Sequence, residues 1–280
     1  MASKPKRILE ELSHPGPHDV LRGDLALVGL PGVVYTPRAG LNLPGIAFGH
    51  GWLQPPGLYR GLLRHLASWG VVAAAPATER GPLPSHRQLA ADLRTTLEVT
   101  TGVRLGPSGI SVDPRRLGLA GHSVGGGAAV LAAATEGAPQ VKAVATFAAA
   151  QTIPSATGAA RRIEAPGLHL AAAEDLVAPA AGNAEAITKA WRGPAQLRTL
   201  PKSSHLALAE GAHWSRLFLH GKPHRPTQRL VRALFTAFFL THLTSTDDYR
   251  PLLEADLKQA PITLDSEQEE QAGTKLTAGA

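Results

Sequence analysis

Three polar side chains have the types and order of a nucleophilic site: Ser123, Asp175 and His205. Ser123 sits in Gly121-His122-Ser123-Val124-Gly125, a G-x-S-x-G pattern between an apolar run and an alanine-rich stretch. In that context the chain must turn sharply from strand into helix. The turn pushes the hydroxyl out at the strand end. It leaves the following backbone N–H groups at a helix N-terminus, where they can stabilise a developing oxyanion. Small residues two positions to either side keep side chains off the neighbouring backbone. The competing reading is a glycine-rich turn that carries an incidental serine. A phosphate-binding loop does not fit, because Ala128 rather than a lysine follows Gly127.

A serine hydroxyl is a weak nucleophile until a base takes its proton, and the base needs a carboxylate to fix its tautomer. With this motif the partners follow in the order acid, then histidine. Asp175 follows the apolar run "GLHLAAA", and His205 follows "AQLRTLP", so both fall just past predicted strand ends. Glu174 competes with Asp175. His213, His220, His224 and His242 lie too far beyond the strand or on a terminal helix, and His169 lies inside a strand. The turn "GHGWLQ" after an earlier strand is the expected source of a second oxyanion donor. The backbone N–H of Trp52 is therefore paired with that of Val124. The Trp52 ring and His122 are expected to line the substrate pocket, and His50 to be structural.

Elements must carry these residues to one place. Apolar runs at 43–48, 71–76, 115–121, 141–149, 167–173 and 195–201 read as strands, the last of these closing the series. Between them, 58–70, 88–101, 124–135 and 183–191 read as helices, and Ser85 and Gln88 have capping-box spacing. Residues 25–37 read as one or two early strands broken by Pro31 and Gly32. Residues 227–243 form an amphipathic helix whose arginines argue against a membrane span. The alternation predicts an α/β fold with a mostly parallel sheet between two helical layers. The predicted division is a lead-in over 1–20, one catalytic domain over 21–260, and a polar, mobile tail over 261–280.

Composition bounds the partners. The chain of 280 residues is 44% hydrophobic, enough for a sizeable core, and its 29 glycines and 23 prolines are spread between apolar runs. The net charge of +6 comes from scattered basic residues without interleaved aromatics, so nucleic acid is not an expected partner. The absence of cysteine excludes disulfides, a thiolate nucleophile and thiolate metal sites. No apolar leader segment follows the basic start, because Glu10 and Glu11 intervene, and cytoplasm is the expected compartment. No metal or cofactor is expected, nor stable membrane insertion. The expected partner is a small-molecule or lipid-like ester.

Taken together, "GHSVGGGAAV", "EDLVAP", "SSHLAL" and "GHGW" resemble the corresponding segments of the α/β-hydrolase superfamily. The likeness spans about residues 25 to 245 and is nearest to cutinase-like bacterial polyesterases and lipases, with dienelactone-hydrolase-like esterases close by. It implies an α/β-hydrolase fold and a serine esterase, with Ser123 as nucleophile, Asp175 as acid and His205 as base. Trp52 stands where such proteins usually have tyrosine or phenylalanine. Two features depart from the secreted polyesterases: there is no disulfide, and no aromatic follows Phe147 in "FAAAQTIPS". An acyltransferase with the same three residues, or a non-catalytic binding protein of the same fold, remains open at this point.

Overall fold

A computed structural model describes residues 4–137 and 139–266. In chain order its elements are α1 (Lys4–Leu12), β1 (Val20–Asp24), β2 (Gly32–Pro37), β3 (Leu43–Gly49), α2 (Arg60–Ser68) and β4 (Val72–Pro76). Next come α3 (His86–Gly102), β5 (Val112–His122), α4 (Val124–Ala133), β6 (Val141–Phe147), α5 (Ala156–Ala160) and β7 (Gly167–Ala172). The chain continues through α6 (Ala184–Ala190), β8 (Ala195–Leu200), α7 (Arg225–Thr244), α8 (Arg250–Glu254) and β9 (Ile262–Asp265).

The nine strands form one sheet in the order β1-β2-β4-β3-β5-β6-β7-β8-β9. Strands β3 to β8 run parallel, whereas β1, β2 and β9 join antiparallel at the edges. The parallel strands are mostly apolar because helices cover both faces. On one face α1, α2, α7 and α8 pack through Leu12, Leu63, Phe235, Phe239 and Leu252. On the other, α3 to α6 pack through Leu93, Leu97, Ala129, Ala160 and Ile187. This is the three-layer α/β-hydrolase architecture. Truncating a fully buried side chain such as Phe235 or Phe239 would cost about 3–5 kcal/mol. Among the described residues, no helix is long and apolar enough to cross a membrane.

Two sequence expectations are corrected. Residues 25–28 form a 3-10 turn rather than a strand, because the Asp24 carboxylate accepts the Ala26 N–H at 2.9 Å and closes the chain on itself. The lead-in is partly helical, as its sequence suggests: α1 buries Ile8 and Leu12 in the core, and the sheet begins at Val20. Finally, β8 is not the last strand. Part of the predicted mobile tail, 262–265, is β9, paired with β8; residues 267–280 lie outside the described residues. The physical reason is Arg198 on β8. It is fully buried, and its guanidinium donates to the carbonyls of Leu253, Ala255 and Ala260, the last two at 3.0 Å. A buried cation needs such partners, and here they are the chain leading into β9.

Several imidazoles are enclosed in this fold. Burial lowers His65 to about 4 and His169 and His122 to about 3. Below about pH 6.5 the unfolded chain takes up these protons and the native state does not, so stability falls as pH falls. Each group contributes about 1.4 kcal/mol of loss per pH unit until its native value is reached. The urea midpoint should therefore drop steeply between pH 6.5 and pH 4. His169→Gln should flatten that slope by about one proton; an unchanged slope would show that His169 is protonated in the native state.

Candidate active site

The site begins with a backbone conformation that side-chain-bearing residues rarely adopt. Ser123 adopts φ 57° and ψ −129°, a sparsely populated conformation for a side-chain-bearing residue. Surrounding bonds hold it there. Its N–H donates to the Phe147 carbonyl at 3.1 Å, and its own carbonyl accepts from Gly126, Gly127 and Ala150 at 2.9 to 3.1 Å. A Cβ on Gly121 would lie 2.3 Å from the Gly125 carbonyl oxygen, and one on Gly125 would lie 2.3 Å from the Gly49 backbone. The missing side chains let α4 start directly against the turn that follows β3. The peptide planes of Trp52 and Val124, the expected oxyanion donors, belong to the two segments so joined.

Asp175 and His205 arrive from the neighbouring strand ends. His205, in a short 3-10 turn after β8, places Nε2 2.9 Å from the Ser123 Oγ and Nδ1 2.7 Å from the Asp175 Oδ2. The second Asp175 oxygen, Oδ1, accepts the N–H groups of Val177 and Ala178, each at 2.8 Å. Burial opposes its charge, but the hydrogen bond and charge of His205 and the two backbone donors outweigh that cost. They hold the carboxyl below the usual carboxylate range. Glu174, its neighbour, is exposed and contributes its backbone N–H to the Ser203 carbonyl. The geometry can take a proton from a serine and hold the resulting imidazolium against a carboxylate.

Other expected residues fall differently. Trp52 is half-buried, and its indole N–H donates to the Pro82 carbonyl at 3.0 Å, so the ring lies along the loop after β4. His50 is buried between two backbone carbonyls, Gly51 at 2.9 Å and Thr78 at 2.8 Å, and burial lowers its pKa. His122 departs from expectation. It is 0% exposed and cannot line an open pocket; its ring faces inward to Tyr59, Phe147 and His205. The reason is alternation along β5: Ala120, two residues earlier, packs into the core with Tyr59 and Phe147, and His122 points to the same side. His213, His224 and His169 bond to Ser215, Thr227 and Thr146, away from Ser123. Among the described residues, no three acidic or histidine side chains converge as a metal ion would need.

Sequence reasoning missed Tyr59 and Gln54, which contact His122 from the 3-10 turn before α2 and the turn after β3. It also missed the segment between β8 and α7, where Trp214, Leu217 and Phe218 are exposed. The apolar character of "HWSRLFLH" was a usable signal.

A family described as PET hydrolase-like matches over residues 15–214. The chain belongs to the PET hydrolase-like family. The match takes in Ser123, Asp175 and His205, and ends within the exposed segment at Trp214. No curated protein matches the chain significantly. As a PET hydrolase-like protein, it is an α/β-fold hydrolase of esters.

The close approach of α4 to the β3 turn has a direct test. Gly125→Ala sets a Cβ against backbone that cannot swing aside. It should lower stability by about 1–3 kcal/mol in urea unfolding. A substitution without cost would mean that the two segments are not in contact in solution.

Proposed function

We propose that this PET hydrolase-like protein is a serine carboxylic-ester hydrolase that works through an acyl-enzyme. The observation that carries this reading is the unbroken line from Ser123 Oγ to His205 Nε2 and from His205 Nδ1 to Asp175 Oδ2, at 2.9 and 2.7 Å. The Ser123 oxygen bonds to the ester carbonyl carbon as its proton passes to His205 Nε2. The carbonyl electron pair moves to oxygen, where the N–H groups of Val124 and Trp52 receive it. Collapse expels the alcohol oxygen, which takes the proton from His205. Water then attacks the acyl-enzyme by the same route, and the acid leaves with Ser123 restored. Asp175 holds Nδ1–H and balances the imidazolium charge.

The rim supports an apolar substrate. Among the described residues, ten large apolar side chains are exposed, and seven of them sit on loops after β4, β6, β7 and β8, at the edge that carries Ser123. Leu83 at 94%, Ile153 at 84% and Leu217 at 83% exposure are the most open of these. Such a concentration marks a binding surface. We assign esters with an apolar acyl or aryl part.

Two measurements test the reading. A fluorophosphonate should label the protein once, on Ser123. Ser123→Ala should abolish the label and lower kcat on p-nitrophenyl butyrate by about 10⁴-fold or more. Labelling of the variant at the wild-type rate would sink the assignment. Separately, Asp175→Asn should cost about 10⁴-fold in kcat by leaving His205 in the wrong tautomer, whereas Glu174→Gln should cost less than about tenfold. The reverse order of severity would transfer the acid's role to Glu174.

A further inference from the structure

Resting on the serine-hydrolase reading, we infer that Tyr59 and His122 are a buried positioning pair that ties the oxyanion turn to the backbone of the catalytic histidine. Neither side chain touches solvent, and neither has a role in the chemistry above.

The direction of each hydrogen bond follows from elementary constraints. The His122 Nε2 lies 2.8 Å from the His205 carbonyl oxygen, which can only accept, so Nε2 carries the proton. Burial, reinforced by the neighbouring His205 ring, lowers His122 to about 3, so the ring is neutral at working pH and Nδ1 is a bare acceptor. The Tyr59 hydroxyl lies 2.8 Å from Nδ1 and therefore donates to it. The same oxygen accepts the Gly51 N–H at 3.0 Å. Gln54 closes the group with contacts to the Tyr59 oxygen and to Nδ1 at 3.2 Å. Because the phenol proton is committed to His122, the amide must turn its NH2 toward them, a flip that leaves its shape unchanged.

The result is one chain of bonds: Gly51 N–H to Tyr59, Tyr59 O–H to His122, His122 N–H to the His205 carbonyl. It starts one residue before Trp52, which supplies an oxyanion donor, and ends on the residue that supplies the base. It passes through the residue before the nucleophile. Packing holds it in place, with Tyr59 on Phe48 at 4.7 Å and His122 on Phe147 at 5.7 Å between ring centroids. The approach also needs Gly51. A Cβ there would come within 2.5 Å of the Gln54 amide, 3.0 Å of His122 Nδ1 and 3.1 Å of the Tyr59 oxygen. A donor and a base must be aligned to within a fraction of an ångström in the same transition state. A rigid strut between them supplies that alignment without touching the substrate.

The test uses Tyr59→Phe, which removes one hydroxyl and keeps the ring, and His122→Phe, which breaks both bonds. Tyr59→Phe should lower kcat by about 10- to 100-fold with KM changed less than about twofold. Affinity for a phenylboronic acid, which forms a tetrahedral adduct on serine, should fall by the same factor as kcat/KM. In ¹⁵N-histidine spectra the His122 Nδ1 resonance should move toward the free-acceptor position. The double variant should cost no more than His122→Phe alone, because both break one chain. The inference is overturned if Tyr59→Phe lowers the melting temperature but leaves kcat and boronate affinity within twofold, or if the two substitutions multiply independently. Absence of a fluorophosphonate label on the wild-type protein would overturn the ester-hydrolase reading, and the pair's role with it; a labelled wild type with an indifferent Tyr59→Phe overturns the pair alone.

Discussion

Two stretches of backbone meet where no side chain could fit, and the site depends on that contact. Gly121 and Gly49 face Gly125, with under 3 Å between the position of a Cβ and the opposing main chain. Because they meet, α4 begins against the end of β3, and the peptide groups of Trp52 and Val124 belong to segments locked together. Because α4 begins there, Ser123 must reverse the chain at φ 57°. The strain this stores is of order 1–3 kcal/mol. It persists because the Ser123 carbonyl accepts three N–H groups at once. The small residues of α4 follow from the same contact, since a bulky helix could not lie so close to the sheet.

Electrostatics near Ser123 are arranged around one transferable proton. Asp175 stays ionised although buried, because a histidine and two backbone donors satisfy it. His122, whose ring centroid is 4.9 Å from that of His205, stays neutral because burial denies it a proton. Were His122 charged, a second cation would sit beside His205 when, in the proposed mechanism, it becomes imidazolium. Like charges at that separation cost several kcal/mol in a site screened from water. The burial that keeps His122 neutral therefore protects His205 in its proposed role as base.

Legibility in the sequence divided along physical lines. The strand–turn–helix around Ser123 was readable because the glycines are demanded locally by backbone sterics. Asp175 and His205 were readable because parallel strands deliver their C-terminal ends to one edge, so a polar residue just past an apolar run has a known position. The inward face of His122 is a finding of the structure, set by alternation along β5 from Ala120. Tyr59 lies 63 residues from His122 in sequence; only tertiary packing brings them together. Strand β9 escaped because its pairing depends on Arg198, whose carbonyl partners lie more than fifty residues further along the chain. A polar segment that is held by a buried cation looks, in sequence, like a tail.

The two faces of the catalytic edge now have a common explanation. Outward, loops after four strands expose leucine, isoleucine, valine, tryptophan and phenylalanine, which are costly in water unless something apolar covers them. Inward, directly beneath, the polar atoms of Tyr59, His122, His205 and Asp175 are bonded to one another. On the proposed function, an apolar ester that settles on the rim would strip water from the site, and every charge interaction in it would strengthen. That gain helps only if no polar group beneath is left unmatched, because an orphaned donor would be penalised by the same loss of water. A dry rim above and a closed hydrogen-bond chain below are therefore two requirements of one design: the substrate supplies the low dielectric, and the buried network is what can tolerate it.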